Sequence, residues 1–261
     1  MPSLLEVYRS IKLRLYFRRR FNSHQERYRR LIYGKKEITV ISGPFRGLRY
    51  FNKIVWGSIT PKWIGSYEDE LTAVIEDIIQ RPYSVVMDIG CAEGYYATGL
   101  AYRMPRSRIY AYDTDFISRH QTRQLAQLNT LTDRVFVRGF CSHEEISRHV
   151  DQPALIICDI EGFERELLNP DACGALKKMD ILVEVHEGEG KWKPSTLDLL
   201  KSRFAGTHAL TEINATDRES QANNFIESGT TNLNRDQVRE AMNEHRSNGY
   251  LWLWMEVRQT G

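Results

Sequence analysis

The chain has 261 residues, a length that α/β folds reach as one domain. With 41% apolar and 11% aromatic residues it can bury a large core, which excludes disordered, collagen-like and disulfide-scaffold readings. The formal charge of +2 divides unevenly, because residues 1–50 carry 13 Lys/Arg against three acids, a net of +10, and residues 51–261 a net of −8.

No stretch approaches the roughly 18 uninterrupted apolar residues of a membrane span. Glu6, Arg9, Lys12 and Arg14 interrupt every apolar run near the start, so a signal-peptide core is not expected. The chain reads as cytoplasmic, and as peripheral to a membrane if its basic arm binds lipid. Cys91, Cys141, Cys158 and Cys173 show no CxxC pairing, so they read as reduced, buried residues.

Residues 1–36 form a basic helical arm, with Leu4, Leu5, Tyr8, Ile11, Leu15 and Phe21 among eight arginines from Arg9 to Arg30. Such a helix suits a membrane surface, an anionic partner, or packing against the acidic body of its own chain or a second subunit. Nucleic acid is disfavoured, since the body is acidic and carries no reader motif. Residues 37–64 follow as a small β-hairpin region, with short β-like runs separated by Gly43, Pro44 and Gly47.

From residue 65 to 261 strand and helix signals alternate. Ser66-x-x-Asp69 opens a helix with Leu71, Val74, Ile75, Ile78 and Ile79 on one face. Ser84 to Asp88 read as a strand, Ala97, Leu100, Ala101 and Met104 as a helix face, and Arg108 to Tyr112 as the next strand. A helix near 116–130, a strand at 134–137 and a capping box Ser142-x-x-Glu145 follow. Ala154 to Cys158 and Ile181 to Val185 are apolar on both faces, as central parallel strands are. Ser195-x-x-Asp198 starts another helix, and 208–213 and 250–257 form a terminal pair of strands. Between them lies a polar insert, 214–247, in which 236–246 reads as a short helix and which serves either as a lid or as a surface loop. The fold class is α/β: a Rossmann-like, mostly parallel sheet with helices on both faces.

In such sheets ligands sit beyond the carboxyl ends of the strands. Asp88-Ile89-Gly90-Cys91-Ala92-Glu93-Gly94 occupies that place after the first strand, and Gly90 and Gly94 allow close backbone approach. Asp113, at the end of the next strand, is placed to accept from both ribose hydroxyls. A dinucleotide would want a third glycine and no acid at the helix start. S-adenosylmethionine carries no phosphate and is cationic at sulfur and amine, which suits Asp88 and Glu93. Two further strand ends are loaded with ionisable groups, Asp159-Ile160-Glu161-Gly162-Phe163-Glu164 and Glu184-Val185-His186-Glu187, a pattern expected where chemistry justifies it.

The segments Gly65-Ser66-Tyr67-Glu68, Val86 to Tyr96, Ala111-Tyr112-Asp113, Cys158 to Glu164 and Glu184-Val185-His186 resemble the FkbM-type class I methyltransferases. The resemblance covers roughly residues 43–187, and its most specific part is D-x-E-G-x-E; Ala92 and Glu93 depart from the family's usual Asn and apolar residue. It implies seven strands with the last antiparallel, S-adenosylmethionine as cofactor, and O-methylation of a sugar, glycan or natural-product hydroxyl. The candidate cofactor contacts are Tyr67 and Glu68 in the preceding loop, Asp88, Gly90, Cys91, Gly94 and Tyr95 at the glycine turn, then Asp113, Ser142 and Asp159. The candidate catalytic residues are Asp159, His186, Glu184 and Glu161, with His186 or Asp159 as base. A divalent cation on Asp159, Glu184 and His186 stands as an alternative, and no metal ligand set is assigned. The rival functions are an NAD-dependent oxidoreductase and a non-catalytic cofactor-binding adapter.

Overall fold

The computed structural model describes residues 23–54, 56–188, 192–229, 231–245 and 251–258. Seven strands form one sheet in the order β3-β2-β1-β4-β5-β7-β6. These are β1 Val85–Ile89, β2 Arg108–Tyr112, β3 Val135–Arg138, β4 Ala154–Cys158, β5 Asp180–Glu184, β6 His208–Asn214 and β7 Leu251–Val257. The first five pair in parallel, and β7 runs antiparallel between β5 and β6. This is the Rossmann-like arrangement expected from the alternating pattern, with the antiparallel last strand that the resemblance implied.

The central strands β1 and β4 are buried on both faces, which is why they read as unbroken apolar runs. Their side chains alternate between two cores. Val86, Ile109, Leu155 and Leu182 face one, while Met87, Ile156, Cys158 and Val183 face the other. The first core is covered by α1 Ser23–Tyr33, α2 Ile59–Ile64, α3 Thr72–Gln80 and α4 Tyr95–Arg103, with α5 Phe116–Leu128 alongside. The second is covered by α6 His143–Ser147, α7 Glu164–Leu167 and α8 Thr196–Phe204. Ser142 and Ser195 cap α6 and α8 as their sequence boxes predict.

The structure departs from the pattern reading at three places. Ser66 does not open a helix: Glu68 takes a left-handed backbone (φ 50), and a 3₁₀ turn at Asp69–Leu71 leads into α3. The stretch read as a hairpin pairs antiparallel around the Thr39–Arg49 bridge, with the Val40 and Tyr50 N–H groups donating to the Leu48 and Ile38 carbonyls, but then gives way to the helix α2. Among its described residues the polar insert holds two helices, α9 Arg218–Glu227 and α10 Arg235–Ala241, capped by Asp217 and Asn234. The sequence signal for α9 is weak because its apolar face is small, yet Ala222 and Phe225 join the first core.

Residues 1–22 of the arm, and 246–250 at the end of the insert, lie outside the described residues. The described part of the arm, α1, packs against its own chain. Tyr28 is fully buried and donates to Glu240 on α10 at 2.5 Å, and His24 and Arg27 pair with the same carboxylate. All four cysteines are free and buried. Among the described residues no helix is long and apolar enough to cross a membrane.

Candidate active site

At the carboxyl ends of β1, β2, β4 and β5 opens a cavity of about 670 Å³. The turn after β1 makes its floor. Gly90 adopts φ 90, and its N–H and that of Cys91 donate to the Tyr112 carbonyl on β2. A Cβ at Gly90 would lie 1.7 Å from the Asp159 carbonyl oxygen, so the glycine brings the ends of β1 and β4 together. Gly94 serves a different purpose: a Cβ there would lie 2.7 Å from the Thr122 side chain, so that glycine allows α4 to close on α5.

Asp113 stands on the β2 side of the cavity. Its Oδ2 accepts from the Ala92 N–H at 2.9 Å and its Oδ1 from the Asp115 N–H at 2.7 Å. Burial raises its pKa, against the lowering effect of these bonds. Each oxygen keeps a further lone pair for a ligand hydroxyl. Trp56 and Phe140, both more than half exposed, line the same end with flat apolar surface.

On the opposite side, Asp159 ends β4 and Glu184 ends β5, with His186 two residues on. One ligand atom of each lies within 4.8 Å of the others. His186 Nε2 is 3.6 Å from Asp159 Oδ1 and 3.6 Å from Glu161 Oε2. Glu164, completely buried, holds this corner: Oε1 accepts the His186 backbone N–H at 2.9 Å and lies 3.3 Å from Nδ1, while Oε2 accepts the Gly162 N–H at 2.8 Å. Burial pulls the His186 pKa down, but Glu164, Asp159 and Glu161 together leave it raised. Glu161 takes a left-handed φ of 56 with its side chain 87% exposed, so no packing offsets that backbone strain.

The structure therefore gathers Tyr67, Gly90, Asp113, Asp159, Glu161, Glu184 and His186 around one cavity. The remaining candidates stand behind its wall. Asp88 is buried and caps α4 by accepting the Ala97 N–H; burial above all pushes its carboxyl up to about 8, so at neutral pH it is mostly uncharged. Cys91 is buried against Thr122, Tyr95 packs into a cluster with Phe45 and Tyr67, and Ser142 caps α6. Glu68 accepts from the Tyr96 hydroxyl, and its N–H donates to Glu244 of the insert, which itself lines the cavity.

Glu93 corrects the expectation that it faces a cationic ligand. It is buried against Lys62, which donates to its Oε1, as does the Tyr50 hydroxyl at 2.6 Å. Lys62 had not been singled out from the sequence, yet it lines the cavity with its Nζ 4.4 Å from the Tyr67 ring centre. Its signal was a single charge inside Ile59–Ile64, a segment that is buried throughout.

No family model and no curated protein matches the chain. Among solved structures it is similar to the O-methyltransferase TomG from Streptomyces achromogenes in complex with SAM, at 12% identity over 74% of this chain and 81% of that one, TM-score 0.47. It is also similar to the O-methyltransferase from Bacillus cereus in complex with SAH (12%, 74% and 82%, TM-score 0.45). A third is ribosomal protein L11 methylase from Lactobacillus delbrueckii subsp. bulgaricus (12%, 75% and 81%, TM-score 0.44). At such identities the likeness concerns the fold, and the strand order alone carries that assignment.

Proposed function

We propose that this protein is an S-adenosylmethionine-dependent methyltransferase of the FkbM type that methylates a hydroxyl on a sugar, glycan or natural product. The observation that carries the reading is the layout of the cavity: a two-oxygen carboxylate at one end, an ionisable cluster at the other, and the bare backbone of Gly90 between them. Asp113 would hold the ribose hydroxyls, with Trp56 and Phe140 beside the base. Tyr67 would meet the methionyl end, with the buried Lys62–Glu93 pair packed against its ring.

When bound, S-adenosylmethionine supplies an electrophilic methyl group: the O–C bond forms as the S–C bond breaks, and that electron pair stays on sulfur. The chain's own part is to hold the acceptor oxygen in line, worth up to about 7–11 kcal/mol in favourable cases, and to take its proton, worth about 10²–10⁴-fold. The cluster of Asp159, Glu161 and His186 is placed for the second task, and Glu164 fixes the imidazole by positioning it. The oxidoreductase reading fares worse. The start of α4, where a pyrophosphate would lie, already holds the Asp88 carboxyl and the Glu93–Lys62 pair.

The test of the cofactor assignment is a thermal-shift series. S-adenosylmethionine or its demethylated product is expected to raise the melting temperature, and NAD is not. A shift with NAD alone would overturn the assignment. Glu161→Gly offers a second check, because it separates stability from turnover. Glycine relieves the left-handed backbone, so the variant is expected to gain about 0.5–1 kcal/mol in urea unfolding while losing turnover by roughly 10²-fold. Unchanged methylation by this variant would remove Glu161 from the site.

A further inference from the structure

We propose that Asp159, Glu184 and His186 bind one divalent first-row transition-metal cation at the end of the cavity opposite Asp113. The binding itself stands on the geometry; the role given to the cation rests on the methyl-transfer reading. The three residues come from the ends of the adjacent parallel strands β4 and β5, whose register (Cys158 beside Val183) fixes their spacing by backbone. Glu184 and His186 share a face by period two. One donor atom from each lies within 4.8 Å of the other two.

The orientation of His186 is the second observation. A buried carboxylate, Glu164, sits 3.3 Å from Nδ1 and is itself anchored by two backbone N–H groups. The Glu164 carboxylate beside Nδ1 favours the neutral tautomer that carries its proton there, and the ring's other nitrogen, Nε2, faces Asp159 Oδ1 and Glu161 Oε2, each 3.6 Å away. That separation is too long for a hydrogen bond. It is close to the spacing of two ligands on one ion, since donors bound at about 2.1 Å stand roughly 3.0–3.4 Å apart. A carboxylate behind the far nitrogen is also the arrangement by which proteins orient metal-binding imidazoles.

One imidazole and two carboxylates suit Mn²⁺, Fe²⁺ or Zn²⁺ better than Ca²⁺. Three protein donors leave coordination positions open to the cavity, where an acceptor hydroxyl would sit. The cation would make that hydroxyl more acidic, and its proton would leave to the exposed carboxylate of Glu161.

The experiment is a titration of the chelator-treated, full-length protein with Mn²⁺, followed by loss of the free-ion electron paramagnetic resonance signal. One ion per chain is expected for the wild type. Glu184→Gln and His186→Ala are each expected to weaken binding by at least about 10-fold, and the positioning variant Glu164→Gln by about 10–100-fold. Asp236→Asn, on the exposed side of the insert helix α10 and outside the cavity lining, is expected to bind as the wild type does. Folded wild-type protein that takes up neither Mn²⁺ nor Zn²⁺ stoichiometrically would overturn the site, as would His186→Ala binding equally well. Mn²⁺ binding without any response to S-adenosylmethionine would support the site while removing the cofactor assignment. A response to S-adenosylmethionine with no metal uptake would overturn the site alone.

Discussion

Replacing Lys62 with Met is expected to destabilise the protein by about 3–5 kcal/mol, the cost of leaving a buried partner charge uncompensated. Both members of the Lys62–Glu93 pair are almost inaccessible, with 4% and 1% of their side chains exposed. Water therefore cannot take over the role of the lost ammonium, and Glu93 must either stay charged in an apolar setting or bind a proton. The Tyr50 hydroxyl satisfies part of the carboxylate but brings no charge. Urea unfolding of Lys62→Met, Glu93→Gln and the double variant measures this directly. The double variant should lose less than the two singles summed, because neutralising both leaves no orphaned charge while Gln can still accept from Tyr50. A change of under about 0.5 kcal/mol in Lys62→Met, the range of ordinary surface substitutions, would mean that the pair is solvated.

Asp113→Ala is expected to lower affinity for S-adenosylmethionine by about 10²–10⁴-fold. Hydrogen bonds to a charged group are worth roughly 1.5–3 kcal/mol each, two ribose hydroxyls lose theirs, and each 1.4 kcal/mol is about tenfold. The same substitution also releases the Ala92 and Asp115 N–H groups, so the loss of affinity must be read beside the melting temperature of the unliganded variant. Asp113→Asn separates the two effects. It keeps one acceptor oxygen and the shape of the turn, and should lose less of both affinity and stability. Full affinity in Asp113→Ala would place the nucleoside elsewhere.

What the chain order made legible, and what it hid, follow from range. Gly90, Asp113 and Asp159 sit at strand ends, and once Val85–Ile89 and Ala154–Cys158 read as central strands their carboxyl-end neighbours had to share one edge. The same logic brought Glu184 and His186 to that edge. Contacts that cross between elements carry no such pattern. Glu93 looked exposed to a ligand because nothing nearby in the chain announces Lys62, 31 residues earlier. Glu164 opens α7 in the chain, yet its carboxylate reaches across to the backbone just beyond β5. Asp88 read as a charge for the cofactor, whereas burial leaves it mostly neutral and bound to α4. The helix start at Ser66 failed for a local reason that composition does not encode, the left-handed backbone of Glu68, whose N–H is met by Glu244 from the far end of the chain. The helix α9 escaped notice because packing of Ala222 and Phe225, and not intrinsic pattern, decides it.

The charge division of the sequence also gains a physical meaning. The acidic body concentrates carboxylates at the strand ends around the cavity, and part of the basic arm pairs with the body through Glu240. Arg30 on α1 stays exposed and pairs within its own helix with Glu26. The arm's reach toward an anionic surface, a partner or a second subunit is thus a proposal that concerns residues 1–22 above all.

The most direct test of the central claim is isothermal titration of the full-length protein with S-adenosylmethionine, repeated with its demethylated product and with NAD. The account predicts one saturable site per chain for the first two ligands, lost in Asp113→Ala, and no heat of binding for NAD. Saturable NAD binding in the absence of any response to S-adenosylmethionine would contradict it.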